Sequence, residues 1–354
     1  MLYILKLSQM TEIQFPIIIV GIFSIFSSYF LTYLVHNLTK DRKIIKRGIS
    51  ENRFSDRHIP PFGGLSMSLT FLIATRLLGE ATPEIKIISI GCVAIALVGL
   101  YDDLFNLDWW KKLLFQIFCI LIPISSASTV LNIEENLQID QSNFINNLVT
   151  LLWVLLIVNS INFIDNMDGL AASISMLIAV ELSILAFVLN QNNLADVAGV
   201  LGFTILGFLL MNLPPAKIYM GDSGSMFLGY CLAFLSIIFI WNPSSSDFWR
   251  VSIQPVLLFF TIPIFDLAIV VISRISKGKS PFEGGVDHIS HRLMSFGFSE
   301  KNVIGIICFL NVYTVIMIYF IVTLNQTGAF IFVALFIISF VALGAKLLKA
   351  ETLD

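Results

Sequence analysis

The sequence predicts an all-α polytopic membrane protein, one integral-membrane domain over residues 1–354 with about 11 transmembrane helices. Three observations predict it. Hydrophobic residues make up 57% of the 354 and charged residues 13%, where soluble domains run at about 25% charged. The mean hydropathy is +0.88. Apolar runs of membrane-crossing length recur along the chain, and no polar stretch between them is long enough to bury a core of its own.

The first run, near 13–36, has no small-residue cleavage site after it and reads as a retained span, not a signal peptide. The second and third, near 63–79 and 85–101, bring the chain to Asp102-Asp103, and the fourth, 113–130, starts just after Lys111-Lys112. The fifth, 147–164, is apolar from Leu148 to Val158 and then turns polar. The sixth, 169–190, carries Glu181 in mid-span, a residue with no motif partner and no assigned role. The seventh, 195–213, ends at Asn212-Leu213-Pro214-Pro215-Ala216, and the eighth, 223–241, opens on Met220-Gly221-Asp222-Ser223-Gly224-Ser225. The ninth, 252–273, precedes a basic loop, and the last two lie near 302–324 and 327–346. Cys92, Cys119, Cys231 and Cys308 all fall inside apolar runs without a CxxC spacing, so they read as small core residues. The 31 phenylalanines read as lipid-facing packing.

Basic residues set the expected orientation. With the amino terminus outside and the carboxyl terminus cytoplasmic, all of the 21 Lys and Arg except Lys6, Arg76, Lys86 and Arg250 fall in cytoplasmic segments. Loops 131–147 and 242–251 are then external, and the basic loops 37–62 and 274–301 internal.

The polar clusters converge under that topology. Asn159, Asn162, Asp165 and Asp168 recur at intervals of three, a step that drifts about 60° around a helix, so the first three share one half of the cylinder. Acids and amides at the edge of hydrocarbon cost a few kcal/mol each unless a partner, water or metal meets them. Alone, such a segment reads equally well as a polar helix stop. Asp102-Asp103, Met220 to Ser225 and Asp287 to Arg292 join it on the same expected face. Several carboxylates with an amide and no thiolate suit a hard cation, Mg²⁺ above all. Gly-Asp-Ser-Gly-Ser at a helix start offers backbone N–H groups to an anion. Lys111 or Lys112, Arg292, and Arg53 or Arg57 supply cations for phosphate. These are the parts of phosphoryl transfer, placed where a water-soluble donor meets a lipid-borne acceptor. The bland alternatives are an ordinary charged loop for Asp102 to Lys112 and solvated loop residues for His288 and His291. A transporter with intramembrane acids is the main rival. Its acids would lie near the midplane of an inverted repeat, which this chain lacks. A nucleotide-alcohol phosphotransferase is the rival within enzymes.

Five ordered motifs between Pro60 and Leu293 resemble the polyprenyl-phosphate N-acetylhexosamine-1-phosphate transferases, glycosyltransferase family 4, which include the phospho-N-acetylmuramoyl-pentapeptide transferases. Pro60-Pro61-Phe62-Gly63-Gly64 resembles the Pro-x-x-Gly-Gly signature. Gly99 to Asp103 with Leu107, Lys112 and Gln116 resembles the aspartate-pair motif. Asn159 to Leu170 resembles Asn-x-x-Asn-x-x-Asp-x-x-Asp-Gly-Leu. Asn212 to Ala216 with Met220 to Ser225 resembles the fourth, and Pro263, Asp266, Arg274, Pro281 and Asp287 to Leu293 the fifth. Three positions depart: Ser55 and Ser290 stand where a His is usual, and Asn166 where Gly is usual.

The resemblance implies transfer of a sugar-1-phosphate from a UDP-sugar to undecaprenyl phosphate with release of UMP, at the cytoplasmic face of the plasma membrane, as the first membrane step of cell-envelope glycan synthesis. It implies Mg²⁺, with Mn²⁺ as a substitute, held by Asn162 and Asp222. Asp102 or Asp103 would orient or deprotonate the lipid phosphate, and Lys112 would hold the diphosphate. Asp168 and Tyr219 would line the uridine pocket, with Asp165 and Asn212 grouped beside them as nucleotide-binding residues. His288, His291 and Arg292 would serve the sugar. The spacing His288-Ile289-Ser290-His291-Arg292 is closer to the UDP-N-acetylglucosamine branch than to the muramoyl-pentapeptide branch, and the short loops suit a small donor. No nucleic-acid partner is implied, and a homodimer is an open assembly state.

Overall fold

A computed structural model of the chain describes residues 14–40, 59–79, 82–125, 143–239, 258–281, 285–324 and 326–350. Twelve helices make up the described residues: α1 (Gln14–Thr39), α2 (Gly63–Leu77), α3 (Pro83–Phe105), α4 (Trp109–Ile124), α5 (Asn143–Ile164), α6 (Leu170–Val188), α7 (Asn192–Asn212), α8 (Gly221–Ile238), α9 (Thr261–Ser276), α10 (Ile289–Ser295), α11 (Glu300–Thr323) and α12 (Gln326–Leu348). The all-helical, multi-pass expectation holds. The expected count of 11 spans is not reached among the described residues. Eight helices, α1, α3, α5, α6, α7, α8, α11 and α12, are long and apolar enough to cross a membrane. Runs 63–79, 113–130 and 252–273 appear as α2, α4 and α9, of 15, 16 and 16 residues. At 1.5 Å per residue these described helices rise about 22–24 Å, against a roughly 30 Å hydrocarbon core, and residues 126–130 and 252–257 of the latter two runs lie outside the described residues. The loop 242–251, expected to be external, lies outside the described residues, as do residues 131–142 of the expected external loop 131–147. The basic segment 41–58 does too, and with it Arg53, Arg57, Ser55 and His58.

The bundle is organised around α8. Its apolar sequence is buried on almost every side, from Ser223 to Ser236, because α3, α5, α2 and α6 surround it. A helix apolar all round belongs in the centre. The close approach depends on residues without side chains. A Cβ on Gly64 of α2 would lie 2.1 Å from the Gly224 nitrogen, and one on Gly99 of α3 would lie 2.4 Å from the Asp222 carbonyl oxygen. Small residues at such crossings let helix backbones touch, which is how helices associate without a hydrophobic drive from lipid. A second layer packs α7 between α1 and α6, and α11 and α12 lie at the periphery with Phe309, Ile338 and Val341 exposed. Exposed Ile and Phe of this kind, also on α1, form the lipid-facing surface.

The polar ends gather at one end of the bundle. The carboxyl ends of α3, α5 and α7 meet the amino ends of α2, α4 and α8 there. The short α10 is tucked beside them against α9, α11 and α12. Thus the residues that break each apolar run are the ones that meet.

Packing this tight makes a direct prediction. Gly64→Ala forces α2 away from α8 and costs about 1–3 kcal/mol or more, read as a lower unfolding temperature and a smaller monodisperse fraction in detergent. Gly305→Ala on α11, where a Cβ meets nothing within 4 Å, holds or gains about 0.5–1 kcal/mol from helix propensity. Equal behaviour of the two variants contradicts the packing account.

Candidate active site

The site is built around one ammonium. Lys112, in the first turn of α4, donates from Nζ to Asp222 Oδ2 at 2.5 Å and to Asp102 Oδ2 at 2.9 Å, with Asn162 Oδ1 at 3.4 Å. Four helices therefore converge on a single charge: α3 brings Asp102, α4 Lys112, α5 Asn162 and α8 Asp222. Asn162 donates from Nδ2 to Asp222 Oδ1 at 2.7 Å and to Ser225 Oγ at 2.8 Å, which fixes the carboxylate from the other side. The expected metal pair, Asn162 and Asp222, is thus in direct contact. One turn earlier on α5, Asn159 pairs with the fully buried Gln116 of α4, accepting from Nε2 at 3.5 Å and donating to Oε1 at 3.1 Å. That amide pair ties α4 to α5 beneath the ammonium.

Asp102 and Asp103, one residue apart, do different things, because neighbours on a helix point about 100° apart. Asp102 faces Lys112 and accepts the Leu107 N–H at 2.7 Å, closing the turn into α4. Asp103 reaches the other way and accepts the N–H of Asp222 at 2.8 Å and of Ser223 at 3.1 Å. It is the N-terminal cap of α8, supplied from another helix. The expectation that this helix start offers free N–H groups to a ligand is therefore corrected: a carboxylate of the chain itself is the anion there. Gly221 at the same start has φ of +70°, and a Cβ on it would lie 2.1 Å from the Pro61 carbonyl oxygen, so only glycine fits. The Pro60–Gly64 turn is laid against the segment before α8: Tyr219 N–H donates to Pro60 O, Gly63 N–H to Tyr219 O and Gly64 N–H to Met220 O, at 2.9–3.0 Å. Ile59, Ala216 and Tyr219 pack together below this pairing.

The α5–α6 turn, Asp165 to Gly169, makes the next wall. Asn166 is buried, Asp165 and Asp168 are half-buried, and Gly169 has φ of +72°. Asp168 accepts the Ala216 N–H at 2.9 Å. Asn212 is corrected from a nucleotide contact to a brace: its Oδ1 accepts the Gly169 N–H at 3.1 Å and its Nδ2 donates to Ile218 O at 2.9 Å, and the residue is 2% exposed. It staples the α5–α6 turn to the α7–α8 connection. Asp165, Asp168 and the buried Tyr219 are brought to this same wall.

The fifth motif folds into a latch. Asp266 of α9 is wholly buried; its Oδ2 lies 2.8 Å from His288 Nδ1, and its Oδ1 accepts the Ile289 N–H at 2.8 Å. His288 packs against Phe163, the residue after Asn162, with ring centroids 6.0 Å apart, and against His291 at 5.6 Å. Ser290 donates to Asn166 Oδ1 at 2.5 Å, and Asn166 donates back to Phe163 O at 2.9 Å. Two of the sequence's departures from the family pattern are therefore bonded to each other. Arg274 grips Asp287 with two hydrogen bonds, at 2.9 and 2.8 Å, and lies over the Phe163 ring at 5.7 Å. Burial pushes the Asp287 carboxyl up, but the Arg274 hydrogen bonds and charge outweigh it and hold the group below its ordinary value. Arg292 points away from the cluster. At 1% exposure its guanidinium donates to Asp287 O, to Leu347 O, to Ala350 O and to Ser273 Oγ. The expected sugar contact is corrected to a buried brace that closes the carboxyl end of α12 onto α9 and α10. His291 is likewise wholly buried.

The donor set fits a hard divalent cation. Asp102, Asp222 and Asn162 bring oxygens to one point, which the structure fills with the Lys112 ammonium, and oxygen is the ligand type such a cation takes. A cation-seeking focus of this kind, half-buried at the end of a bundle, suits phosphate chemistry.

The chain has relatives among known proteins. A family model described as Glycosyl transferase family 4 matches residues 85–240. The chain is 30% identical over 318 residues, covering 87% of it and 86% of the relative, to a protein of Bacillus subtilis (strain 168) named probable undecaprenyl-phosphate N-acetylglucosaminyl 1-phosphate transferase. It is 32% identical over 323 residues, 82% of it and 79% of the relative, to the decaprenyl-phosphate N-acetylglucosaminephosphotransferase of Mycobacterium leprae (strain TN). It is 28% identical over 267 residues, 70% of it and 80% of the relative, to the phospho-N-acetylmuramoyl-pentapeptide-transferase of Staphylococcus aureus (strain JH9).

The separation of the two aspartates is testable. Asp103→Asn removes the cap and lowers thermal stability by about 1–2 kcal/mol. Asp102→Asn leaves the fold in place and cuts turnover by about 10²-fold, the scale of a charge-positioning group. Unfolding curves and turnover measured on both variants decide it; matching losses in both quantities contradict the assignment.

Proposed function

The chain belongs to glycosyl transferase family 4, and on that premise we propose that it transfers N-acetylglucosamine-1-phosphate from UDP-N-acetylglucosamine to undecaprenyl phosphate, releasing UMP. It is an enzyme, a phosphotransferase of the polyprenyl-phosphate N-acetylhexosamine-1-phosphate class. The observation that carries the proposal is the convergence of Asp102, Asn162 and Asp222 on Lys112 at one end of an apolar bundle. That end is where a lipid phosphate and a water-soluble diphosphate meet. The excess of basic residues in the loops on that side supports a cytoplasmic site in the plasma membrane.

In this reaction an oxygen of the acceptor phosphate forms a bond to the donor phosphorus that carries the sugar. The bond from that phosphorus to the bridging oxygen breaks, and the electron pair leaves on UMP. The demand on the protein is positioning and charge neutralisation. Lys112 offsets the charge of the diphosphate, and Asp102 holds the ammonium in place from the α3 side. Asp102 is also the carboxylate suited to orient the acceptor phosphate or take its proton, since its Oδ2 faces the ammonium that meets the diphosphate, whereas Asp103 is turned to the start of α8. Asp222 and Asn162 would hold Mg²⁺, with Mn²⁺ as a substitute, and the ion would supply further neutralisation of the diphosphate. Asp165, Asp168 and Tyr219 would flank the uridine, and Asn212 keeps their wall rigid.

Two of the three relatives described above are named for N-acetylglucosamine, and the short loops offer little surface for a peptide. These support the donor assignment. Purified protein with undecaprenyl phosphate and Mg²⁺ is expected to release UMP from UDP-N-acetylglucosamine. In competition it prefers this donor over UDP-N-acetylmuramoyl-pentapeptide by at least about 10-fold, or roughly 1.4 kcal/mol. Preferential use of the pentapeptide donor overturns the donor and leaves the reaction standing. No release from any UDP-sugar overturns the reaction.

A further inference from the structure

Asp266 has no part in the phosphate-binding cluster, yet it is a wholly buried carboxylate with a two-sided commitment. Its Oδ1 accepts the Ile289 N–H at 2.8 Å, and its Oδ2 lies 2.8 Å from His288 Nδ1. A carboxylate can only accept here, so the proton of that second bond must sit on Nδ1. The opposite ring nitrogen, Nε2, makes no protein hydrogen bond among the described residues and is not sealed from solvent. The ring itself is set against Phe163, one residue beyond Asn162 on α5. We infer that Asp266 is a positioning residue for the reaction: it fixes His288 as the Nδ1–H tautomer and aims Nε2 at the sugar-phosphate of the donor. The same pattern of a buried acceptor behind a histidine sets which nitrogen faces a metal or substrate elsewhere.

The bonding predicts what substitution does. In Asp266→Asn the single side-chain oxygen satisfies Ile289 N–H, which leaves the amide NH₂ facing His288. Nδ1 must then accept, and the proton moves to Nε2. The fold keeps both hydrogen bonds, but the atom offered to the donor has the wrong character.

What Nε2 meets rests on the functional reading above; the tautomer rests on geometry alone. The experiment separates the two. The chain has four histidines, so ¹⁵N-histidine NMR of the detergent-solubilised protein at about pH 8, above the ordinary imidazole range, can be assigned by loss of signals in His288→Gln. Wild type is expected to show a protonated Nδ1 at His288, and Asp266→Asn a protonated Nε2. Asp266→Asn lowers turnover by at least about 10²-fold with KM changed by less than about 3-fold. In the His288→Gln background the same substitution costs less than about 3-fold further, because the two residues act as one unit. An unprotonated Nδ1 in wild type overturns the inference even if Asp266→Asn fails to fold. Additive losses in the double variant overturn it as well and leave Asp266 a brace. If wild type releases no UMP, the functional reading falls while the spectrum still decides the tautomer.

Discussion

The structure depends on one buried-edge ammonium held by oxygens from three other helices. Asp102 and Asp222 are carboxylates at the rim of an apolar bundle, where an unpaired charge costs several kcal/mol. Lys112 lies within 3 Å of both, so the two acids can approach without mutual repulsion deciding the geometry. The cation also explains why α3, α4, α5 and α8 end at the same level: each has to deliver one side chain to the same point. A purely apolar bundle would have no such registration. The knot that sets the fold is therefore also the place where phosphate charge is met.

Around this centre, the chain spends its remaining polar groups on holding walls still. Asp103 caps α8, Asn212 ties two turns together, Arg274 and Asp287 clasp the latch, and Arg292 closes the far end against α12. Each satisfies backbone or side-chain groups that lipid could not. Phosphoryl transfer asks little covalent chemistry of a protein and much rigidity, and this distribution of bonds suits that demand. The contact between Asn166 and Ser290 carries the logic into the fifth-motif latch. It fastens the latch to the α5–α6 turn with residues that depart from the family pattern.

Much of this was legible in the sequence, and the failures have physical reasons. The interval of three from Asn159 to Asp168 located the polar strip of α5, and Lys and Arg alone were enough to bring the acidic motifs to one face. The ammonium's partners were all named. The reading could not divide Asp102 from Asp103, because a pair of adjacent acids looks alike until the helix is turned. It took Asn212 and Arg292 for ligand contacts because a buried brace and a binding residue share the same polarity and the same motif. Only the direction of the side chain separates them. Runs 63–79, 113–130 and 252–273 read as spans because hydropathy reports how apolar a stretch is, whereas their described helices, α2, α4 and α9, have 15, 16 and 16 residues. Asp266 had a place in a motif but no role, since its partner His288 is 22 residues away and only folding brings them together.

The central claim is that one ammonium balances two carboxylates. Thermal unfolding of Lys112→Met, with and without Asp102→Asn, measured in a chelator so that no divalent ion replaces the cation, tests it most directly. The account predicts that Lys112→Met alone loses about 3–5 kcal/mol, the cost of breaking a buried pair. The second substitution should restore a large part of that stability without restoring turnover. A Lys112→Met protein as stable as wild type, or a double variant less stable than the single one, would contradict it.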